Sequence, residues 1–206
     1  MIINDNIFFI HIPRTGGRYL KQLFYNNFNC KEKIIYDKIY PHWHYPIYLK
    51  IDNELSNNPK FFTVLRDPFE KILSQLKIEI KRDKSILDKL KDRNYFFDFI
   101  EWQRSVNSYE NNWYRPQCDF VTNNTYIWHH SLGFEQYFFN WLSEHLKLHI
   151  INKEKPAYES LTKGADDPVD YSNIDLSAIK KNTYIYYEKD TILCDKVLND
   201  LKVKFL

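Results

Sequence analysis

Apolar positions recur with two different periods along this 206-residue chain, and the switches between them divide it into strands and helices. Residues 7–12, Ile7-Phe8-Phe9-Ile10-His11-Ile12, are a short apolar run rich in β-branched and aromatic residues and closed by Pro13, which predicts a buried strand. Beyond Arg14, Thr15 and the pair Gly16-Gly17 the spacing turns helical. Tyr19, Leu20, Leu23 and Phe24 predict a helix over 18–28. Residues 34–40 predict a second short strand, and 41–59, broken by Pro41, Pro46, Asn57, Asn58 and Pro59, predict a loop with room for a helical turn. Residues 60–65 (KFFTVL) read as another buried strand. Asp67 before Pro68 is an N-cap followed by a good first helical residue, so a helix is expected from 68 to about 82, with Ile72, Leu76 and Ile80 as its apolar stripe.

The remainder predicts helices over 85–92 and 95–106, a polar and loop-rich stretch over 107–131, and an amphipathic helix over 134–147. A short strand over 148–151, a long loop over 153–173 and a helical tail from about Leu176 complete the pattern. Strands alternating with helices predict an α/β fold: three layers, with a mostly parallel central sheet flanked by helices.

Composition narrows the class. With 44% hydrophobic and 17% aromatic residues the chain has the material for a folded core, and its length suits one domain spanning 1–206. The net charge of +2 is too balanced to suggest nucleic acid as a partner, so any anion-binding role has to be local. Cys30, Cys118 and Cys194 are far apart and odd in number, which predicts free thiols rather than a disulfide framework or a zinc site. No apolar run approaches the length of a membrane span, and no signal-peptide pattern opens the chain. For a complete gene product, that predicts a cytoplasmic protein.

Three constellations carry candidate chemistry. The first is Pro13-Arg14-Thr15-Gly16-Gly17, between a strand and a helix. Such a turn aims backbone N–H groups and a helix N-terminus at an anion, and Arg14 and Thr15 add a cation and a hydroxyl. It is not a Walker A loop, since Ile12 stands where the first glycine belongs and Arg18 where the lysine belongs. The structural alternative is an ordinary strand-to-helix turn. The second is Leu65-Arg66-Asp67-Pro68 with Lys71 and Ser74 downstream. Arg66 falls at the carboxyl end of a strand, where open α/β sheets bind ligands, and Ser74 offers a hydroxyl two turns into the helix. Here the structural alternatives are a local ion pair at an N-cap and a serine bonded to its own helix. The third is His42-Trp43-His44. An imidazole there suits proton removal from a hydroxyl, no nearby carboxylate or thiol supports a metal, and two surface histidines in a loop are the plain alternative.

Taken together, these stretches resemble a known family. HIPRTGGRYL is similar to the 5′-phosphosulfate loop, H-x-P-K-T-G-G-T-S-L, of the carbohydrate sulfotransferases that include the heparan sulfate 2-O-sulfotransferases. FFTVLRDPFEKILSQL resembles their 3′-phosphate motif, an apolar strand followed by R-D-P-x-x-R-x-x-S, and HWH resembles the H-x-H that precedes it. Weaker echoes are Arg115-Pro116-Gln117, Phe134-Glu135, Ile151-Asn152-Lys153, and Tyr187 with Asp190. The family's loop lysine is Arg14 here, its Thr-Ser after the glycines is Arg18-Tyr19, and Lys71 replaces an arginine. Arg18 can replace the hydroxyls with charge, whereas Tyr19 is bulky enough to block the site.

The resemblance implies a P-loop-like fold and transfer of a sulfuryl group from 3′-phosphoadenosine 5′-phosphosulfate (PAPS) to a hydroxyl of a carbohydrate or glycoconjugate acceptor. Arg14, Thr15, Gly16, Gly17 and Arg18 would hold the 5′-phosphosulfate, with Arg14 neutralising charge on the leaving phosphate, and Arg66 and Ser74 would hold the 3′-phosphate. His44, or alternatively His42, would be the base, and the scheme requires no metal. Two rivals remain. A P-loop kinase-like enzyme is disfavoured by the absent Gly-Lys-Ser/Thr and the lack of a clear Mg²⁺-binding acidic motif. A non-catalytic nucleotide-binding protein with a degenerate donor loop is kept alive by Arg18-Tyr19. Among the aromatics of 95–128, Tyr95, Trp102, Trp113, Tyr114, Tyr126 and Trp128 are candidates to stack on sugar rings, with core packing the preferred reading for most.

Overall fold

The computed structural model describes residues 1–4, 6–31, 59–92, 94–106, 112–151 and 168–205. The expected strand at 34–40, the histidines His42 and His44, and most of the expected 153–173 loop lie outside the described residues.

The chain is α/β. Three strands, β2 (Ile7–Ile10), β4 (Lys60–Leu65) and β5 (Thr125–His129), pair in parallel with β4 central. Two-residue strands β1 (Ile2–Ile3) and β3 (Cys30–Lys31) add an antiparallel edge, giving the order β3-β1-β2-β4-β5. Register is set by pairs such as Ile10 with Thr63 and Leu65 with His129, and the Thr63 hydroxyl reinforces it by donating to the Ile10 carbonyl at 2.7 Å.

Helices cover both faces of the sheet, as period-2 alternation requires when neither face meets water. Phe9, Phe62, Val64 and Trp128 turn toward α1 (Gly17–Asn27) and α5 (Gln136–Leu146), meeting Leu20, Phe24, Phe138 and Trp141. Phe62 meets Phe24 edge-on at 5.5 Å. The alternate residues Ile10, Phe61 and Leu65 turn the other way, toward Phe120 and toward Leu193, Cys194 and Val197 of α7 (Glu188–Phe205). A second apolar cluster joins α2 (Pro68–Arg82), α3 (Ser85–Lys89), α4 (Tyr95–Val106) and α6 (Leu176–Tyr186) through Ile72, Leu76, Ile80, Ile86, Phe96, Ile100 and Ile179.

Some expectations need correction. β5 falls inside the stretch expected to be loop; its Trp128 and His129 are buried because β4 supplies a partner. Residues 148–151 are not a strand. Leu148 and Ile150 are buried, but no ladder forms. Among the candidate sugar-stacking aromatics, Tyr114 and Trp128 are fully buried core, Tyr95, Trp113 and Tyr126 are half-buried, and Trp102 is exposed. Among the described residues, no helix is long and apolar enough to cross a membrane.

Candidate functional site

The three parallel strands end at one edge of the sheet, and each delivers a polar segment there. β2 runs into the loop 11–16, β4 into Arg66-Asp67, and β5 into His130-Ser131. This carboxyl edge is where open α/β sheets bind ligands.

The loop after β2 is tightly wound. The buried Thr15 hydroxyl donates back to the Ile12 carbonyl at 2.9 Å, so its proton is spent on shaping the turn. Arg14 (φ 67°) and Gly16 (φ 91°) flank Thr15 in the left-handed region, a conformation that costs a non-glycine residue such as Arg14 about 1 kcal/mol or more. Gly17 has a different reason to be glycine, because a Cβ there would overlap the His11 ring at the end of β2. α1 thus starts hard against the strand. It starts without a capping side chain and with no acidic residue in its first turn, so its N–H groups and positive end face the loop. α2 differs, since Asp67 Oδ1 accepts from the Glu70 N–H at 2.9 Å.

The structure brings the first two constellations into direct contact. Arg14 donates from Nε (3.0 Å) and Nη2 (2.7 Å) to the Ser74 Oγ, across sixty residues of sequence. Two N–H groups on one hydroxyl oxygen leave the serine proton free to point elsewhere. Arg66 Nη1 donates to the Arg14 carbonyl at 3.3 Å, and Arg66 Nε pairs with the Glu70 carboxylate at 3.1 Å. Arg18 is exposed on the first turn of α1. Tyr19 is half-buried, with its ring stacked on Phe134 at 5.5 Å and packed against the core. His42 and His44 fall outside the described residues.

Lys71, three residues before Ser74 on the same helix, turns away from it. Its side chain is fully buried, and Nζ donates to the carbonyls of Trp113 (2.9 Å) and Arg115 (3.0 Å). Burial pulls its pKa down to about 8, against the opposing pull of Asp190 and Cys194. It holds a loop in place and does not face the anion edge.

What fixes Arg66 was legible in the sequence only as faint echoes. Gln117 clamps its backbone from both sides: Oε1 accepts from the Arg66 N–H at 2.9 Å, and Nε2 donates to the Arg66 carbonyl at 2.7 Å. The Cys194 thiol donates to the same carbonyl at 3.3 Å, its pKa raised by burial and by nearby Asp190. Asp190, buried, accepts from the N–H groups of Gln117 (2.7 Å) and Cys118 (2.9 Å). The Tyr187 hydroxyl donates to the Tyr114 carbonyl at 2.6 Å. The Arg-Pro-Gln and Tyr…Asp echoes therefore converge on one strand end.

A second missed residue is His130. Its Cδ2 lies 3.4 Å from the point where a Cβ would project from Gly16, and its ring meets Phe134 edge-on at 5.6 Å. Burial, then the charge of Arg66, pull its pKa down to about 4, with Glu70 opposing, so the imidazole is neutral at neutral pH. The signal available was the His129-His130 pair directly after the apolar Tyr126-Ile127-Trp128. His129 is turned to Ser131, whose hydroxyl lies 2.7 Å from Nδ1.

Comparison of the chain with protein-family models, with curated proteins and with solved structures finds no match.

Proposed function

We propose that the chain is a PAPS-dependent sulfotransferase on a P-loop-like fold, acting on a hydroxyl of a carbohydrate or glycoconjugate. The observation that carries this reading is the double hydrogen bond from Arg14 to Ser74, which joins the loop after β2 to the helix after β4. A donor with phosphate groups at both ends of a nucleoside needs two anion grips on one edge, and a lone glycine loop offers only one. The uncapped start of α1 and the cations Arg14, Arg18 and Arg66 fit such a ligand.

In this reading the N–H groups from Gly16 to Arg18 receive the 5′-phosphosulfate. Thr15 shapes the loop. Arg66 and the Ser74 hydroxyl take the 3′-phosphate, and Arg14, between the two grips, offsets the charge growing on the departing phosphate. His44 or His42 takes the acceptor proton. As in phosphoryl transfer, positioning and electrostatics supply most of the catalysis.

Thermal-shift measurement with adenosine 3′,5′-bisphosphate, 5′-AMP and ATP tests the donor. At a ligand excess of about a hundredfold over Kd, binding adds about 2.7 kcal/mol, or roughly 5–10 °C in Tm for a chain this size. The bisphosphate is expected to stabilise well beyond the other two. Equal or ATP-dominated stabilisation refutes the reading and favours the kinase-like alternative. Bisphosphate stabilisation without transfer of labelled sulfate assigns a non-catalytic nucleotide binder.

A further inference from the structure

His130 was not among the residues the sequence marked, yet it stands beside the loop at Gly16. It follows β5, the strand on the far side of β4 from the loop. Its Cδ2 comes within 3.4 Å of the Cβ position of Gly16, in the loop after β2. Phe134 fixes the ring from the side at 5.6 Å and also covers Gly16, with Cε2 only 2.9 Å from the same Cβ position. An anion hydrogen-bonded to the N–H groups at the start of α1 sits about 3 Å from those nitrogens, close to an imidazole whose Cδ2 lies 3.4 Å from the Cβ position of Gly16.

We propose that His130 is a ligand-contacting residue of this site, its imidazole hydrogen-bonded to the anionic group held by the loop at Gly16-Gly17. The proposal rests on the donor reading above for the identity of that anion.

The charged and titratable groups around the ring set its response. From the β4–α2 junction Arg66 disfavours a proton on His130, and Glu70 of α2 favours one. His129, which ends β5, also disfavours it, and the loop carries the cations Arg14 and Arg18. Burial is the largest influence and acts in the same direction as the positive surroundings, so the ligand-free imidazole is neutral. A bound phosphate group brings negative charge to the ring and neutralises those cations. His130 then takes up a proton as the ligand binds and donates a charge-assisted hydrogen bond to it. Tighter binding at mildly acidic pH follows.

The test is NMR of ¹⁵N-labelled imidazoles in the wild-type chain, titrated through the acid range free, with adenosine 3′,5′-bisphosphate, and with inorganic pyrophosphate. His130 is assigned by its loss in His130→Gln or, should that variant not fold, by its through-space contact with the Phe134 ring. The expected result is an upward shift of the His130 pKa by about 1 unit or more on saturation with the bisphosphate. His130→Gln should weaken bisphosphate binding roughly tenfold near about pH 6 and less near about pH 8. If the bisphosphate binds and the His130 signals do not move, the proposal is overturned and the donor reading stands. If only pyrophosphate binds and shifts His130, the proposal stands and the donor reading falls. Failure of both ligands to bind overturns both.

Discussion

Replacing Gln117 with leucine isolates what holds Arg66 in place. Leucine branches one carbon earlier than glutamine and is one heavy atom smaller, so in this fully buried site it leaves a small gap that adds to the cost. What disappears is the clamp: the Arg66 N–H loses its acceptor at 2.9 Å and the Arg66 carbonyl loses its donor at 2.7 Å. The carbonyl keeps the Cys194 thiol at 3.3 Å, a weak donor, whereas the N–H is left without the acceptor it has here. Each hydrogen bond is worth about 1 kcal/mol net, and an orphaned buried amide costs about 1–3 kcal/mol. The added apolar surface offsets part of this, leaving a net loss of about 2–4 kcal/mol. For a chain of this length that lowers Tm by roughly 4–16 °C. Because the clamp sits on the residue proposed to grip the 3′-phosphate, the same substitution should weaken adenosine 3′,5′-bisphosphate more than 5′-AMP. Thermal melts with and without each nucleotide measure both effects. Gln117→Glu is the control: one oxygen still accepts from the N–H, but the other faces the Arg66 carbonyl, so its stability should recover as pH falls and the new carboxyl protonates. A Gln117→Leu chain that melts within about 1 °C of wild type would refute the argument that these bonds organise the strand end.

Two further predictions follow from buried contacts. Gly17→Ala drives a methyl into the His11 ring and should cost about 2–3 kcal/mol, with loss of any stabilisation by bisphosphate; chemical denaturation with and without the nucleotide reads both, and a neutral result would show that α1 can slide away from β2. Lys71→Met tests the buried amine. Its folded pKa, about 8, is below the ordinary 10.5, so the unfolded chain binds the extra proton between those values and stability rises with pH across that window. The neutral amine keeps two N–H groups for the two carbonyls it meets. Wild type should therefore gain up to about 3 kcal/mol on Lys71→Met as pH rises through that window, measured by paired urea titrations, and a constant difference would place Lys71 outside this linkage.

The sequence by itself determined the elements whose causes are local. The helix 68–82 starts and stops where Asp67-Pro68 and the Ile72, Leu76, Ile80 stripe say it should, because capping and periodicity act within a few residues. The strand at 60–65, the strand at 7–10 (expected to run on to 12) and the glycine turn between strand and helix were legible for the same reason. Only the tertiary structure decided the rest. Thr125–His129 is a strand because β4 offers it an open edge, while 148–151 pairs with no strand among the described residues. Lys71 turns inward because carbonyls from residues 113 and 115 wait there, which no spacing along its own helix reveals. The contact of Arg14 with Ser74, the clamp of Gln117 on Arg66 and the approach of His130 to Gly16 each join segments more than fifty residues apart. Periodicity states which face of an element is apolar. Which polar groups meet at the sheet edge depends on strand order and register, and these are fixed only when the chain closes on itself.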